Sequence, residues 1–224
     1  QQWRMAMNTP PVLAVATPQA FLEQVQAMRA DPATGKPDPA RMQAFFAAHP
    51  ESAAFRQWAQ QHKPTSSFAN STYNSINAFY LINAAGVRQA VRWALQPEAE
   101  VQPLLAGATG PALLQEELLD RLQQGPVRWQ LILTLADAAD PLTDATQAWP
   151  ASRPQLHAGS LVVEQAVSQQ EGACRDINFD PLILPAGIEP TADPILQARS
   201  AAYAESFKRR TAEGAPQPAR GVQL

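Results

Sequence analysis

Residues 179–210 read FDPLILPAGIEPTADPILQARSAAYAESFKRR, and this stretch decides how the rest of the chain is interpreted. Its first part belongs to a proline-bearing loop over 176–192, and loops of that length in compact domains usually serve a function. Its second part predicts a helix from Pro194 to about Ala212. Asp193 is the predicted N-cap, because its carboxylate can accept hydrogen bonds from the free N–H groups of the first turn.

One face of this predicted helix carries Arg199, Tyr203 and Arg210, since residues at this spacing nearly align at ~100° per residue. The pattern alone favours a solvated basic face, continued by Lys208 and Arg209. The alternative is chemical, because a guanidinium one turn from a phenol favours the charged form of that phenol. A tyrosinate is a hard anionic ligand that haem iron accepts. Both interpretations follow from the residues.

Outside this stretch, the chain predicts a mixture of helices and antiparallel strands. Proline at a first helical position predicts helix starts at Pro18, capped by Thr17, and at Pro39. Gly86 supplies the positive φ of a tight hairpin turn. The predicted elements are an edge or broken strand over 3–15, helices starting at 18, 39 and near 55, hairpin strands over 72–83 and 87–96, a helix over 110–125, strands over 127–137 and 160–167, and a turn-rich connection over 140–154.

Composition and motifs exclude several classes of protein. The net charge of the 224 residues is 17 − 20 = −3, without a basic block, which argues against nucleic acid as a partner. No apolar run approaches the roughly 18 residues that span a bilayer. The chain lacks GxGxxG, GxxxxGK[ST], HExxH and GxSxG motifs. His49, His62 and His157 are not at metal-ligand spacing, and the single cysteine, Cys174, has no nucleophile signature.

The stretch 179–210 resembles the proximal segment of haem catalases. The shared pattern is an FDP turn, then P-x-GIEP-x-x-D, then L-Q-x-R-x-x-x-Y and a basic end. Residues 6–25, 73–98, 140–150 and 159–165 are similar to further catalase segments, so the resemblance covers most of 3–212. The segment GACRDINFDPLILPAGIEP and the short carboxy terminus resemble those of the small catalase-related peroxidases more than those of the long catalases.

The resemblance implies a role for each residue of the basic stripe. Tyr203 would be the iron ligand, and Arg199 would hold its phenol in the anionic form. Arg210 would bind a haem propionate, which suits a bidentate guanidinium–carboxylate pair.

Four further residues match family positions around the haem. Phe179 and Ile195 would line its proximal face, and Phe21 would lie over its distal face. Asn8 would be the catalytic distal asparagine, although Met7 stands where the family usually has a second asparagine.

The distal histidine of the family, and the arginine beside it, lie upstream of the matched region. None of the three histidines here has a matching context, so we expect a chain truncated at its amino terminus, nearly inactive alone, with an open barrel edge. The expected organisation is a catalase-like haem domain over 1–212 and a loose tail over 213–224.

The expected fold is α+β: an antiparallel barrel, incomplete at its start, with packed helices. The resemblance implies a peroxidase with haem b that reduces hydrogen peroxide or organic hydroperoxides with electrons from a small-molecule donor, with weak catalase activity left open. Two alternatives remain: a hydroperoxide-rearranging haem enzyme of the same fold, or a non-catalytic haem-binding fragment. The sequence fixes neither the compartment nor whether the protein is a homo-oligomer.

Overall fold

An antiparallel β-sheet forms the centre of the protein. The computed structural model describes residues 1–108, 110, 112–167 and 172–213. Within these residues the strands are β1 (Tyr73–Asn74), β2 (Phe79–Ile82), β3 (Arg88–Pro97), β4 (Val127–Leu135), β5 (Gln155–Val163) and β6 (Ile188–Pro190).

The sheet is open in the described part of the chain. Its strand order is β5-β4-β3-β2-β6, and β1 also pairs with β3. The hairpin register places Phe79 opposite Val91, and Val91 lies opposite Leu135 in β4. The outer strands, β5 and β6, do not pair with each other. The expectation of an incomplete antiparallel barrel agrees with this topology.

Helices pack around the sheet, and their starts follow from local capping. They are α1 (Pro18–Ala27), α2 (Pro39–Ala48), α3 (Ala53–Gln61), α4 (Leu113–Gln124) and α5 (Pro194–Glu213). The hydroxyl of Thr17 accepts from the N–H of Ala20, and the carboxylate of Asp193 accepts from the N–H of Ile195 at 2.8 Å. These caps satisfy N–H groups that have no partner within a helix. No helix among the described residues is long and apolar enough to cross a bilayer.

Two apolar clusters fix the positions of α1 and α5. Phe79, Val91, Trp93 and Leu133 of the sheet pack with Leu196 of α5, which is fully buried. A second cluster joins α1 to α2. The sheet therefore fixes the first turn of α5.

The structure corrects three expectations. The segment 3–15 forms no strand; Asn8 makes one isolated bridge with Asn74, and the Pro10-Pro11 pair removes two N–H donors that a strand would need. Strand β5 begins at Gln155 rather than near residue 160. The loop over 176–192 contains the short strand β6. The tail was expected from residue 213. Glu213 still belongs to α5, and residues 214–224 lie outside the described part of the chain.

Candidate functional site

A cavity of about 400 Å³ lies between α1 and α5. Cavities of this size are typical of small-molecule and cofactor sites. Most of its lining is apolar, and its polar side chains are those of Asn8, Arg199 and Tyr203. The lining residues are Asn8, Leu13, Pro18, Phe21, Ile76, Ile195, Ala198, Arg199, Ala202 and Tyr203.

Arg199 and Tyr203 face this cavity from successive turns of α5. The Nη2 of Arg199 donates to the phenol oxygen of Tyr203 over a long 3.4 Å, and the guanidinium carbon lies 5.6 Å from the centroid of the ring. Both side chains are half-buried. The guanidinium of Arg199 therefore lies beside the phenol oxygen at the wall of the cavity and not in solvent. The solvated-face interpretation is therefore wrong for these two residues.

Arg199 is held in place by contacts from distant parts of the chain. Its Nη1 donates to Oδ1 of Asn77 over 2.7 Å, and its Nη2 donates to the carbonyl oxygen of Ala6 over 2.5 Å. The Nδ2 of Asn77 in turn donates to Oδ2 of Asp193 over 2.8 Å. Asp193 and Asn77 are 1% and 0% exposed. The four side chains of Asp193, Asn77, Arg199 and Tyr203 thus form a continuous hydrogen-bonded chain, which runs from the buried Asp193 to the cavity, where Arg199 and Tyr203 line the wall.

A tight turn between β1 and β2 brings Asn77 to this position. Ile76, just before it, has φ 63°, a conformation that is costly for a β-branched residue. The hydroxyl of Ser75 donates to the carbonyl of Asn77 over 3.0 Å and accepts from the N–H of Trp93 over 3.1 Å. The strained turn is therefore tied to β3, and it delivers both the Ile76 side chain and the Asn77 amide to the site.

The predicted distal residues line the same cavity as Arg199 and Tyr203. Phe21 is 46% exposed on α1 and lines the cavity. Asn8 also lines it, and its backbone exchanges hydrogen bonds with Asn74 at 2.9 and 2.7 Å. Ile195 is buried on the α5 side, as expected for a proximal contact. The structure brings these residues together with Tyr203, while their roles stay predictions.

Arg210 and Phe179 lie outside this cavity. The Nη2 of Arg210 donates to the carbonyl of Ile177 over 3.0 Å, and its Nε is buried without a hydrogen-bond partner. Phe179 lines a neighbouring cavity of about 360 Å³. Arg209, by contrast, points away and pairs with Glu205. Arg209 is thus paired with a carboxylate on its own helix, whereas Arg210 reaches the loop over 176–192.

The three histidines of the chain lie away from the lining of the Tyr203 cavity. His49 bridges Glu23 and Glu51, the ring of His62 stacks on Trp58 at 4.5 Å, and His157 lies on β5. Cys174 is an exposed free thiol. Within the described residues, no cluster of histidine, cysteine and carboxylate side chains has the geometry of a metal site. The phenol of Tyr203 remains the candidate metal ligand that the resemblance implies.

The sequence profile of the catalase family matches residues 2–217, which is nearly the whole chain. The chain belongs to the catalase family. The match includes both walls of the Tyr203 cavity, so the cavity lies within the region that the family profile covers. Membership implies haem as the cofactor, although its exact type is a separate question.

Two curated relatives carry the same description. The chain is 40% identical to a catalase-related peroxidase of Synechococcus elongatus, over 92% of this chain and 62% of the relative. It is 31% identical to a catalase-related peroxidase of Mycolicibacterium paratuberculosis, over 92% of this chain and 66% of the relative. The chain therefore spans about two thirds of the length of these proteins.

Solved catalases share the fold. Catalase A from Saccharomyces cerevisiae superposes with a TM-score of 0.80 at 18% identity, covering 91% of this chain and 45% of that one. A bacterial catalase superposes with a TM-score of 0.79 at 16% identity, covering 97% of this chain and 48% of that one. The predicted α+β catalase-like fold is confirmed.

Sequence reasoning missed Asn77 and Asp193 as parts of the site. Asp193 was expected only as a helix cap, and it does cap α5 through Oδ1 while Oδ2 accepts from Asn77. Asn77 lies 122 residues from Arg199 along the chain, so no local pattern links them. The signal that the sequence offered was that Asn77 lies between apolar residues in the segment SINAF, residues 75–79.

Proposed function

We propose that this chain supplies the iron ligand of a haem peroxidase and that this ligand is Tyr203. The observation that supports this most strongly is the fixed guanidinium of Arg199 against the phenol oxygen of Tyr203, at the wall of an otherwise apolar cavity. A basic side chain without this support would prefer solvent. Here two hydrogen bonds hold it at the phenol, which is the arrangement a tyrosinate ligand needs.

The residues present fit a haem. The cavity is mostly apolar and is bordered by two aromatic rings, Phe21 and Tyr203, and by aliphatic groups of α5. Among the side chains that line it, Tyr203 supplies the phenol oxygen that would bind the iron. Outside the cavity, Arg210 has a buried Nε without an acceptor. Buried donors are nearly always satisfied, so this atom indicates an acceptor such as a carboxylate.

We assign haem b as the cofactor, since the chain offers this non-covalent pocket and its single cysteine, Cys174, is an exposed free thiol that does not line it. Haem supplies the redox chemistry and the oxygen-accepting iron once it is bound. The chain supplies the anionic ligand and the charge that stabilises it. Phe21 and Ile195 would supply apolar contacts to the bound group, and apolar surroundings strengthen the charge interactions within them.

The proposed substrates are hydrogen peroxide or an organic hydroperoxide, with a small-molecule electron donor. Asn8 is the polar side chain at the cavity rim opposite Tyr203, and its amide would orient the bound peroxide. Proton transfer between the peroxide oxygens needs a base within hydrogen-bond reach. The histidines of this chain lie elsewhere, so the chain alone should turn over slowly.

The first test is haem binding by Tyr203→Phe, with Tyr80→Phe as the matched control. Each change removes only one phenol oxygen, and Tyr80 lies on β2 outside the cavity, against Arg88. We expect Tyr203→Phe to alter the absorption spectrum of the haem complex and weaken binding, while Tyr80→Phe changes neither. An unchanged spectrum for Tyr203→Phe rules out this ligand.

The second test separates the activities. The haem-loaded protein is mixed with hydrogen peroxide, with and without an oxidisable donor. Donor oxidation supports a peroxidase, and oxygen evolution without donor indicates catalase activity. Conversion of a fatty-acid hydroperoxide without donor indicates a rearranging enzyme instead. Haem binding with none of these reactions indicates a non-catalytic fragment.

A further inference from the structure

Helix α1 forms one side of the Tyr203 cavity, and its apolar contacts with α2 are small. Phe21 of α1 lines the cavity. The face of α1 that packs on α2 is built from Ala20 and Ala27, which share a buried cluster with Phe45. Alanine buries little apolar area, so these residues contribute little to holding the helix. A polar contact from α2 therefore matters for the position of this wall.

That contact comes from His49, the C-terminal cap of α2. Glu23 lies between Ala20 and Ala27 on the same face of α1, since residues three and four positions apart align on a helix. Its Oε2 lies 3.0 Å from Nε2 of His49, and Oε1 of Glu51 lies 2.9 Å from Nδ1 of the same ring. The imidazole is thus clamped between two carboxylates, one on α1 and one in the turn over 50–52.

The backbone and the packing of His49 fix the ring in this position. Its N–H donates to the carbonyl of Phe45 over 3.0 Å, and its own carbonyl accepts from Oγ of Ser52 over 2.7 Å. The rings of His49 and Phe45 lie 4.4 Å apart, and the imidazole side chain is only 14% exposed. Rotation of the ring away from the two carboxylates would lose this packing.

The charge of the ring decides how many of these contacts it makes. A neutral imidazole has one N–H donor and one lone pair, whereas the imidazolium has two donors. The oxygens that face the ring belong to carboxylates, which only accept hydrogen bonds when ionised. Hydrogen bonds from Gln19 and His49 hold the pKa of Glu23 below its usual value, so this carboxyl does not supply the missing proton. The neutral ring therefore serves one carboxylate and turns a lone pair towards the other.

We propose that protonated His49 acts as a latch that fastens α1 to α2, and that loss of the proton releases α1 from this contact. Glu51 is two residues from His49, so the chain itself keeps it near the ring. Glu23 is 26 residues away, and its side chain is 44% exposed. The contact with Glu23 is therefore the one that is lost. The Phe21 wall of the cavity is held more firmly when His49 is protonated than when it is neutral.

The other charged groups around the ring leave this latch intact. Each helical segment that meets here carries one charged residue: Glu23 on α1, Arg41 on α2, Glu51 in the turn over 50–52 and Arg56 on α3. The guanidinium of Arg41 pairs with Asp38 at the start of α2, and that of Arg56 lies over the ring of Phe46 at 5.0 Å. Both cations are thus engaged elsewhere, and the two carboxylates dominate the charge at the imidazole.

The direction of the pH dependence follows from these contacts. The hydrogen bond to Glu51 raises the pKa of His49 most, burial opposes it, and the hydrogen bond to Glu23 raises it further. A group whose pKa is raised by folding contributes its full stabilisation below the pKa of the unfolded chain. That contribution is lost as the pH rises through the raised pKa of the folded protein. The latch is therefore closed at acidic pH and open at alkaline pH.

Hydrogen exchange of α1 in the haem-free chain tests the latch. Exchange in a peptide covering Pro18–Ala27 is followed by mass spectrometry below and well above the ordinary imidazole pKa of about 6.5. The proteins are the wild type, His49→Gln, His49→Arg and the control His62→Gln, whose ring stacks on Trp58. They are compared at the same pH, so the intrinsic dependence of exchange on pH cancels. A peptide covering Leu113–Gln124 is the internal reference, since α4 belongs to a different apolar cluster.

The latch predicts a different pH profile for each protein. Below the imidazole pKa, α1 of the wild type should exchange about two- to fivefold more slowly than α1 of His49→Gln, as one ion pair of this exposure supplies. Well above it, the two should exchange alike. Arginine is charged and has several donors at every pH, so His49→Arg should keep α1 protected throughout. His62→Gln should follow the wild type.

Three results would overturn the latch. A difference between the wild type and His49→Gln that stays the same at every pH would show that ring packing holds α1, and not charge. Equally fast exchange in His49→Arg and His49→Gln would show that a cation at this position does not hold the helix. Glu23→Gln leaves the imidazole and α2 intact, so it should abolish the pH dependence in α1; if the dependence persists, α1 is held by another contact.

Haem titration of the same proteins tests the link to the cavity, and this part rests on the proposed function. The haem affinity of the wild type relative to His49→Arg should fall about two- to fivefold as the pH rises through the pKa of His49, because the other titrating groups are common to both proteins. A constant ratio would show that the latch does not reach the cavity wall. If neither protein binds haem, the proposed function fails, and the exchange data still decide whether the latch exists.

Discussion

Replacement of Asn77 by alanine isolates the contribution of the buried chain Asp193–Asn77–Arg199. The side chain of Asn77 is fully buried and makes two hydrogen bonds, one to a guanidinium and one to a carboxylate. Alanine removes both bonds and leaves Nη1 of Arg199 and Oδ2 of Asp193 without this partner. The backbone turn is kept, because Ser75 holds it through main-chain atoms.

The expected loss follows from the charge of both partners. Hydrogen bonds to charged groups contribute about 1.5–3 kcal/mol each, so two give about 3–6 kcal/mol. The lower half of that range applies, because Asp193 keeps its bonds to helix N–H groups and Arg199 keeps the carbonyl of Ala6. We expect a loss of about 3–4 kcal/mol in the free energy of unfolding, which lowers Tm by roughly 6–16 °C at this chain length.

Urea and thermal unfolding of the haem-free chain measure this loss without any assumption about function. Asn83→Ala is the matched control, since Asn83 also makes two hydrogen bonds, but to neutral N–H groups in the exposed hairpin turn. It should lose about 1 kcal/mol. In the haem-loaded protein, Asn77→Ala should also shift the spectrum towards that of Tyr203→Phe. Equal losses for Asn77→Ala and Asn83→Ala would refute the buried-network argument.

Two further predictions concern pH and backbone geometry. His49 lies between Glu51 at 2.9 Å and Glu23 at 3.0 Å, and these hydrogen bonds raise its pKa despite burial. Its stabilisation is therefore full below the pKa of the unfolded imidazole and is lost as pH rises through the raised folded pKa. The difference in urea midpoint between wild type and His49→Gln should shrink as the pH rises above the ordinary imidazole pKa of about 6.5; a constant difference contradicts this. Gly187 has φ 86°, and an added Cβ would lie 3.2 Å from the carbonyl oxygen of Ile82, whereas Gly86 has φ 79° and open space. Gly187→Ala should thus lower Tm more than Gly86→Ala, and equal shifts would show that the contact is harmless.

Local signals in the sequence predicted where the helices begin and which residues share a face. Thr17 and Asp193 cap helices because a side-chain oxygen reaches N–H groups two or three residues away, and that contact needs no tertiary structure. The spacing of Arg199 and Tyr203 likewise places them on successive turns. The hairpin turn at Gly86 follows from its backbone freedom.

Pairing between distant segments limited the strand predictions. Residues 3–15 have strand-like composition, but a strand requires a partner with free N–H and C=O groups in register, and two prolines remove donors at the point of pairing. Strand β5 begins at Gln155 because Thr134 of β4 lies opposite it, which the turn-like residues before 160 did not reveal. Its edge position leaves most of its side chains exposed, so its apolar alternation is weak.

The sequence by itself determined the helix caps, the Arg199–Tyr203 pair and the family resemblance, because each depends on residues a few positions apart or on an ordered motif. Only the tertiary structure decided how that pair is held. Asn77 and Ala6 reach Arg199 from 122 and 193 positions away. Buried polar groups must find partners wherever the fold brings them, so the contacts that fix this site depend on packing and not on sequence spacing.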